Sequence, residues 1–476
     1  MAGTYTIGEK KIRPGTYFRT LKKGNNSVVG ATNGICAVVF RADFGPLGKA
    51  EILTPDDDYT KLYGDGGTTD TIREVLLAGV YRAICVRVGN ADAEGVTYST
   101  ITLKSGETDA VKLTAKYPGS KPFSITIRDK VTDSTLRQAV IYTGTTVFET
   151  VEFAKGDDEV AALIAAMKKD KYFVSANASD TAVTGTLADV TVKAFTAGTD
   201  PSITTTDYTS ALSVIEKYKI NSLCVDTEDT AVHALCKAYL DRIYNHGQFG
   251  VFVAAENPDE VDLETRQKHA ANFNSEKDIY VLNAAATKTD GTAVRGYQVA
   301  ARIAGLEAIK PCNQSMTHDV ISDYATLDEI LTPTQMEDAE AKGCFVLSLN
   351  TEDQVWVDNA INTLITLSQD QDEGWKKIRR VKTRQELMDR ANTTGDAYNG
   401  KVDNDDNGRL TVKSALQDVI DAMIGESKLV AGTVDLDTKR VSDGDYAYYV
   451  FDIIDKDSIE HLYLDYVFQF STNVES

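Results

Sequence analysis

The stretch GICAVVFRADFGPLGKAEIL (residues 34–53), continued by TDTIREVLLAGVYRAICVRVG (residues 69–89), carries the main clue to the architecture. ICAVVF and AICVRV are short, nearly continuous apolar runs, the pattern of strands buried on both faces. Between them a Gly-Pro turn leads into a second extended piece, and TDTIREVLLAG reads as an amphipathic helix with Thr or Asp at its cap. Strand, helix and strand in this order open an α/β unit, which breaks off near Gly89.

Residues 94–197 have another texture. YSTITLKSG, AVKLTAKYPGS, FSITIRDK and RQAVIYTGTTVFETVEFA are short Thr- and Val-rich alternating runs between Gly and polar turns, with one helical piece, DDEVAALIAAMKKD. They predict a β-rich module inserted into the α/β unit. From about residue 200 the α/β pattern resumes. DYTSALSVIEKY, TAVHALCKAYLDRIYNHG, the Ala- and Gly-rich RGYQVAARIAGLEAI and TPTQMEDAEAKG read as helices, and INSLCVD, FGVFVAAE and CFVLSLN as strands. Beyond residue 355 come a basic stretch, a helix at TVKSALQDVIDAMIG and two strands, DYAYYVFDII and HLYLDYVFQF. In the second strand Leu462, Leu464, Tyr466 and Phe468 share one face. The expected organisation is an arm over 1–24, an α/β core of mixed sheet and flanking helices over 25–93 plus 198–354, an inserted β-rich (sandwich or barrel-like) domain over 94–197, and a C-terminal α+β domain over 355–476 with an extended end.

Composition narrows the function. With 476 residues, 42% hydrophobic and 25% charged, the chain is an ordinary globular sequence long enough for several cores. No stretch approaches the ~20 apolar residues of a membrane span, and the first residues lack the apolar core of a secretory signal. The six cysteines lie mostly inside apolar runs, as free thiols in a reducing compartment do; a cytosolic site of synthesis is expected. A net charge of -21 argues against a nucleic-acid binder, which needs a basic face. The charge is uneven: residues 1–24 hold six Lys/Arg and one acid, whereas 425–476 hold four Lys/Arg and eleven acids.

Catalytic and metal-binding patterns are weak. Gly45 and Gly48 are too close for a phosphate loop, and Ala50 stands where its hydroxyl belongs. Asp403, Asp405, Asn407 and Gly408 copy a calcium loop, but Ser414 replaces the closing Glu, so a turn leading into a helix is the better reading. Cys224, His233, Cys236 and His246 form no compact zinc knuckle and are better read as buried thiols and surface imidazoles. No cofactor is expected. Six of the nine residues from Lys376 to Arg384 are basic (Lys376, Lys377, Arg379, Arg380, Lys382, Arg384), a solvated face, a phosphate-binding patch or a docking surface for an acidic protein partner.

Seven short motifs, in order along the chain, resemble those of contractile tail sheath proteins of bacteriophages and phage-tail-like particles. They are RPGTYFR (13–19), FGPLGKAEIL (44–53), LTAKYPGSKPFSITI (113–127), FTAGTDPSITTTDYTSAL (195–212), INTLITL (361–367), KVDNDDNGRLTVKSAL (401–416) and DIIDKDSIEHLYLDYVF (452–468). The resemblance implies a structural subunit and not an enzyme. It would form hexameric rings stacked helically around a tail tube, with the tube, baseplate and tail-terminator proteins as partners, and without nucleic acid or membrane insertion. Such particles assemble in the bacterial cytoplasm and act outside it. The resemblance also implies arms that add strands to a neighbour's C-terminal sheet. Here these would be the segment with Lys10, Lys11, Arg13, Pro14, Gly15, Tyr17 and Arg19, and the end with Leu462, Leu464, Tyr466 and Phe468, drawn together by opposite charge. The Lys376–Arg384 run is expected to face the tube. A surface-layer or adhesin-type protein, and after it an α/β enzyme, are the alternatives on composition.

Overall fold

The computed structural model describes residues 2–4, 16–18 and 33–468. They fall into two compact units, Met1–Ala31 with Arg390–Ile454, and Thr32–Asp389 with Asp455–Ser476.

The larger unit is built on a six-stranded sheet in the order Asp278–Val281, Val251–Ala255, Ser222–Val225, Ile35–Phe40, Arg82–Arg87, Ala50–Leu53. The first five strands are parallel and Ala50–Leu53 is antiparallel to its neighbour. Every residue of Ile35–Phe40 is buried. Cys36, Val38 and Phe40 enter one core, and Ile35, Ala37 and Val39 enter the core on the opposite face, as strand alternation requires. Helices Asp70–Leu77 and Tyr297–Ile309 pack in the first core; Thr205–Ile215 and Thr230–Tyr244 pack in the second. A Cβ at Gly305 would stand 2.5 Å from the Cβ of Ala78, so the Ala- and Gly-rich composition sets how closely the first two helices approach.

Between Arg82–Arg87 and Thr205–Ile215 the chain forms a β-rich module of two antiparallel sheets. One has the order Thr146–Ala154, Leu136–Thr143, Ser124–Asp129, Val190–Ala194; the other Phe173–Asn177, Thr108–Pro118, Tyr98–Ser105. Leu103, Leu113, Ile125 and Ile141 fill its core around a cluster of aromatic rings. Phe44, from the Phe-Gly-Pro turn of the α/β chain, is one of those rings, 5.2 Å from Phe123 in an edge-to-face contact.

The smaller unit contains the helix Asp406–Gly425 and the hairpin Leu429–Leu436 with Tyr449–Asp455, except for Asp455 itself, which belongs to the larger unit, plus a short parallel pair, Ala2–Thr4 with Thr16–Phe18. Gly432 lets the hairpin lie on the helix, because a Cβ there would meet Ile420 at 2.9 Å and Ile453 at 2.7 Å.

Three expectations shift. The boundary placed between residues 354 and 355 falls in the turn of a hairpin, Val346–Leu349 with Val355–Asn359, whose Leu347, Val355 and Val357 share the core of the larger unit. The compact division comes instead at Arg390. The helix expected from Thr411 begins at Asp406, because Asp405 caps it by accepting from the Gly408 amide at 2.7 Å. The final expected strand is absent: 461–468 lies in no strand among the described residues. An extended segment has no ladder to join there, and a strand without a partner is not stable.

Candidate inter-subunit linking elements

In open parallel sheets, ligands bind at the carboxyl ends of strands where the strand order reverses. Here that point lies between Ile35–Phe40 and Ser222–Val225, which lead into Arg41 and Asp226. A small open pocket lies there, lined by Arg41, Thr68 and Asp200, and Asp226 is held beneath it by the chain's own groups. The Asp226 side chain is fully buried, and its Oδ2 accepts from the Arg41 amide at 2.7 Å, from Arg41 Nε at 2.8 Å and from the Thr68 hydroxyl. Its Oδ1 accepts from the Tyr208 hydroxyl at 2.7 Å. Burial, with Asp226 beside it, drives that phenol far above its ordinary pKa. The Asp226 carboxylate thus ties the ends of two neighbouring strands to the residues that follow them.

The sequence motifs meet around Arg87, a side chain at 0% exposure. Its Nε donates to the Ala42 carbonyl at 3.0 Å; one terminal nitrogen donates to Gly45 O and Pro118 O, both at 2.8 Å, and the other to Asp200 at 3.2 Å. One guanidinium thus ties the Phe-Gly-Pro turn, the Tyr-Pro-Gly turn and the Gly-Thr-Asp segment together. Asp200 also accepts from Ser120 N at 3.2 Å and from the Ser120 hydroxyl at 2.5 Å. Gly119, at φ +147°, passes so close to the Asp43 carbonyl that a Cβ would overlap it. The glycines at 45 and 48 are therefore parts of a structural turn. By its apolar pattern AICVRV is a plain strand, and nothing in that pattern marks Arg87. The available signal was an Arg inside an apolar run, a residue type rarely buried without partners.

The Ile-Asn-Thr-Leu element is a second junction. Asn362 donates to Trp375 O at 2.8 Å, and the Thr363 hydroxyl donates to Ser275 O at 3.0 Å. Among the described residues no three His, Cys, Asp or Glu side chains are placed to hold a metal. Cys224 and Cys236 are buried thiols pushed well up by burial. His246 is exposed, but His233 is buried, contrary to the expected surface imidazole. Its Nε2 lies 2.9 Å from Thr227 O, and burial lowers its pKa.

The linking residues are placed as follows. Lys10, Lys11, Arg13, Pro14, Gly15 and Arg19 lie outside the described residues, and Tyr17 falls in the short strand Thr16–Phe18. Residues 461–468 are all exposed: Leu464 at 66%, Phe468 at 83% and Tyr463 at 92%. The alternation seen in the sequence leaves both faces wet within one chain. In the smaller unit, the Leu429–Leu436 and Tyr449–Asp455 strands form a two-stranded sheet, so each has an edge without a strand partner among the described residues. Val430, Val450 and Ile454 are exposed on it.

The basic run is not the free cationic face expected to meet a tube. None of its six residues is exposed, and five are paired within the chain. Lys376 pairs with Glu373 (2.8 Å), and Lys382 with the buried Glu307 (3.0 Å). Lys377 bridges Asp457 and Glu460, both at 2.8 Å. Arg380 grips Asp455 at 2.9 and 2.7 Å, and Arg384 adds a contact to Asp455 at 3.2 Å. Arg379 is buried. The expected attraction between chain ends is also reduced. Six of the eleven acids of 425–476 (Glu426, Asp435, Asp437, Asp455, Asp457 and Glu460) already have intramolecular cationic partners.

Residues 202–363 match the family described as the phage tail sheath protein central domain. Along 405 residues the chain is 22% identical to the uncharacterized protein YqbK of Bacillus subtilis (strain 168), covering 80% of this chain and 79% of that one. Its fold is similar to that of the sheath tail protein DSY3957 of Desulfitobacterium hafniense, with a TM-score of 0.69 at 18% identity over 93% of this chain and all of that one. It is also similar to the helical sheath of the anti-feeding prophage in its contracted state, with a TM-score of 0.55 at 10% identity over 96% of this chain and 99% of that one. Residues 202–363 thus carry the sheath central domain, and the fold around them is similar to that of solved sheath proteins.

Proposed function

We propose that this chain is the structural subunit of a contractile sheath, polymerising as stacked hexameric rings around a tail tube and shortening to drive that tube through a bacterial envelope. Tube, baseplate and tail-terminator proteins are its partners, and assembly takes place in the bacterial cytoplasm before the particle acts outside the cell. The observation that carries this reading is the pairing of an unfilled edge with an unused strand. Among the described residues a two-stranded sheet presents open edges, and an exposed apolar segment, 461–468, carries backbone that joins no strand. Addition of that segment, or of the Tyr17 arm, to a neighbour's hairpin satisfies both. At the crevice the Asp226 carboxylate is taken up by the chain's own donors, and the fold and the matched sheath central domain point to a structural protein.

The test is electron microscopy of the purified full chain beside a chain ending at residue 460. The full chain is expected to form rings or hollow tubes, and the shortened one to stay folded and unassembled, with an unchanged melting temperature. Flat lattices would favour a surface-layer protein. A shortened chain that still forms tubes would remove the linking role of 461–468.

A further inference from the structure

The occupied basic run suggests a role that the linking reading does not include. The segment that leaves the Tyr449–Asp455 strand does not float away from the larger unit. Three cations hold it at three successive acids: Asp455, Asp457 and Glu460. Arg380 makes a two-pronged contact with Asp455, the geometry that fixes a carboxylate in direction as well as distance. Arg384 reaches the same carboxylate while its guanidinium lies 4.2 Å over the Trp375 ring. Lys377 and the Ser315 hydroxyl (3.1 Å) hold Glu460 from two elements. The seat is shaped for this. Gly374 leaves the space in which the Arg380 guanidinium lies, and a Cβ there would overlap it. Past Glu460 every described residue is exposed.

We propose that Lys377, Arg380 and Arg384, seated on Gly374 and Trp375, form a clamp that positions the root of the C-terminal linking segment at Asp455–Glu460, so that 461–468 leave the subunit from a fixed point. The clamp stands on contacts within one unit; its use in assembly rests on the linking reading above. Fixing the root narrows the volume that the segment searches and raises its effective concentration at a neighbour's sheet edge, without adding any contact to that neighbour.

Trypsin reports the clamp directly, because Lys456 is exposed between two clamped acids. Cleavage requires the segment to lift locally. In the unassembled full chain, Asp455→Asn combined with Asp457→Asn is expected to speed cleavage after Lys456 by about tenfold or more, the scale of one charge-assisted hydrogen bond. Gly374→Ala, which displaces Arg380 without removing a charge, is expected to act in the same direction and guards against a folding defect in the double variant. Cleavage at the native rate in both variants overturns the clamp. Faster cleavage with slower tube formation supports the whole proposal. Faster cleavage with an unchanged assembly rate overturns the positioning role. The chain ending at residue 460 keeps the clamp and judges the linking reading separately.

Discussion

Replacing Arg87 by Met is expected to cost about 3–5 kcal/mol, the penalty seen when one partner of a buried charged network is removed. Met keeps most of the side-chain volume, so a void contributes little to the loss. The loss comes from the Ala42, Gly45 and Pro118 carbonyls, which have the guanidinium as a donor, and from Asp200, which loses its cation. Burial pulls the guanidinium down to about 10, so it is fully charged at neutral pH. Lys at this position reaches fewer acceptors than a planar fork and should recover only part of the stability. The damage should be local first. The three tethered segments join the α/β sheet to the inserted module, whereas each of those has its own core. Limited proteolysis of Arg87→Met should therefore cut near residues 118–121 and 198–200 before either core opens. A loss of stability under 1 kcal/mol in urea titration, with native proteolysis, would mean that the junction is held by packing around Phe44 and not by Arg87.

How much of this could be read from the residues follows from which interactions have a period. Strands such as Ile35–Phe40 and helices such as Tyr297–Ile309 bury one face or both, and that writes a repeat of two or of three to four into the chain. The α/β core and the Thr-rich insertion were visible for that reason. Ion pairs have no period. Nothing in WKKIRRVKTR says that Arg380 and Arg384 will share Asp455, 71 residues beyond the nearer of them, so the run looked like a free basic face. The order of short motifs carries the resemblance to sheath proteins, but not the physical reason for the motifs. Tyr-Pro-Gly and Gly-Thr-Asp became intelligible once both were seen to converge on Arg87. The last strand failed for a different cause. Alternation in HLYLDYVF is real, but among the described residues no strand pairs with it.

The second large effect is expected at Asp278, and its sign depends on pH. This residue opens the outermost parallel strand at 1% exposure, its carboxyl has no ion-pair partner among the described residues, and the Ser275 side chain is the main group offsetting its burial. The nearest cations are engaged elsewhere: Lys277 and Lys237 contact Asp241 at 2.5 and 3.3 Å. Burial pushes the Asp278 carboxyl up to about 7, against about 3.9 in an unfolded chain. Between these values the folded state holds a proton that the unfolded state has released, so stability falls as pH rises from about 4 to about 7. Three pH units at about 1.4 kcal/mol each give a loss on the order of 4 kcal/mol by pH 8. Asp278→Asn removes the titration. Its chemical-denaturation stability should match the native chain near pH 4 and exceed it by a few kcal/mol at pH 8. The opposite dependence is expected at Glu426, which Arg390 and Lys428 hold down at about 2; its contribution is present above about pH 4.5 and fades as pH falls towards 2. Measured together, the two separate cleanly, since the Asn variant changes only the arm above pH 4. Parallel stability curves for Asp278→Asn and the native chain from pH 4 to 8 would show that the carboxyl is ionised and compensated in the folded protein, and would remove the penalty assigned to it.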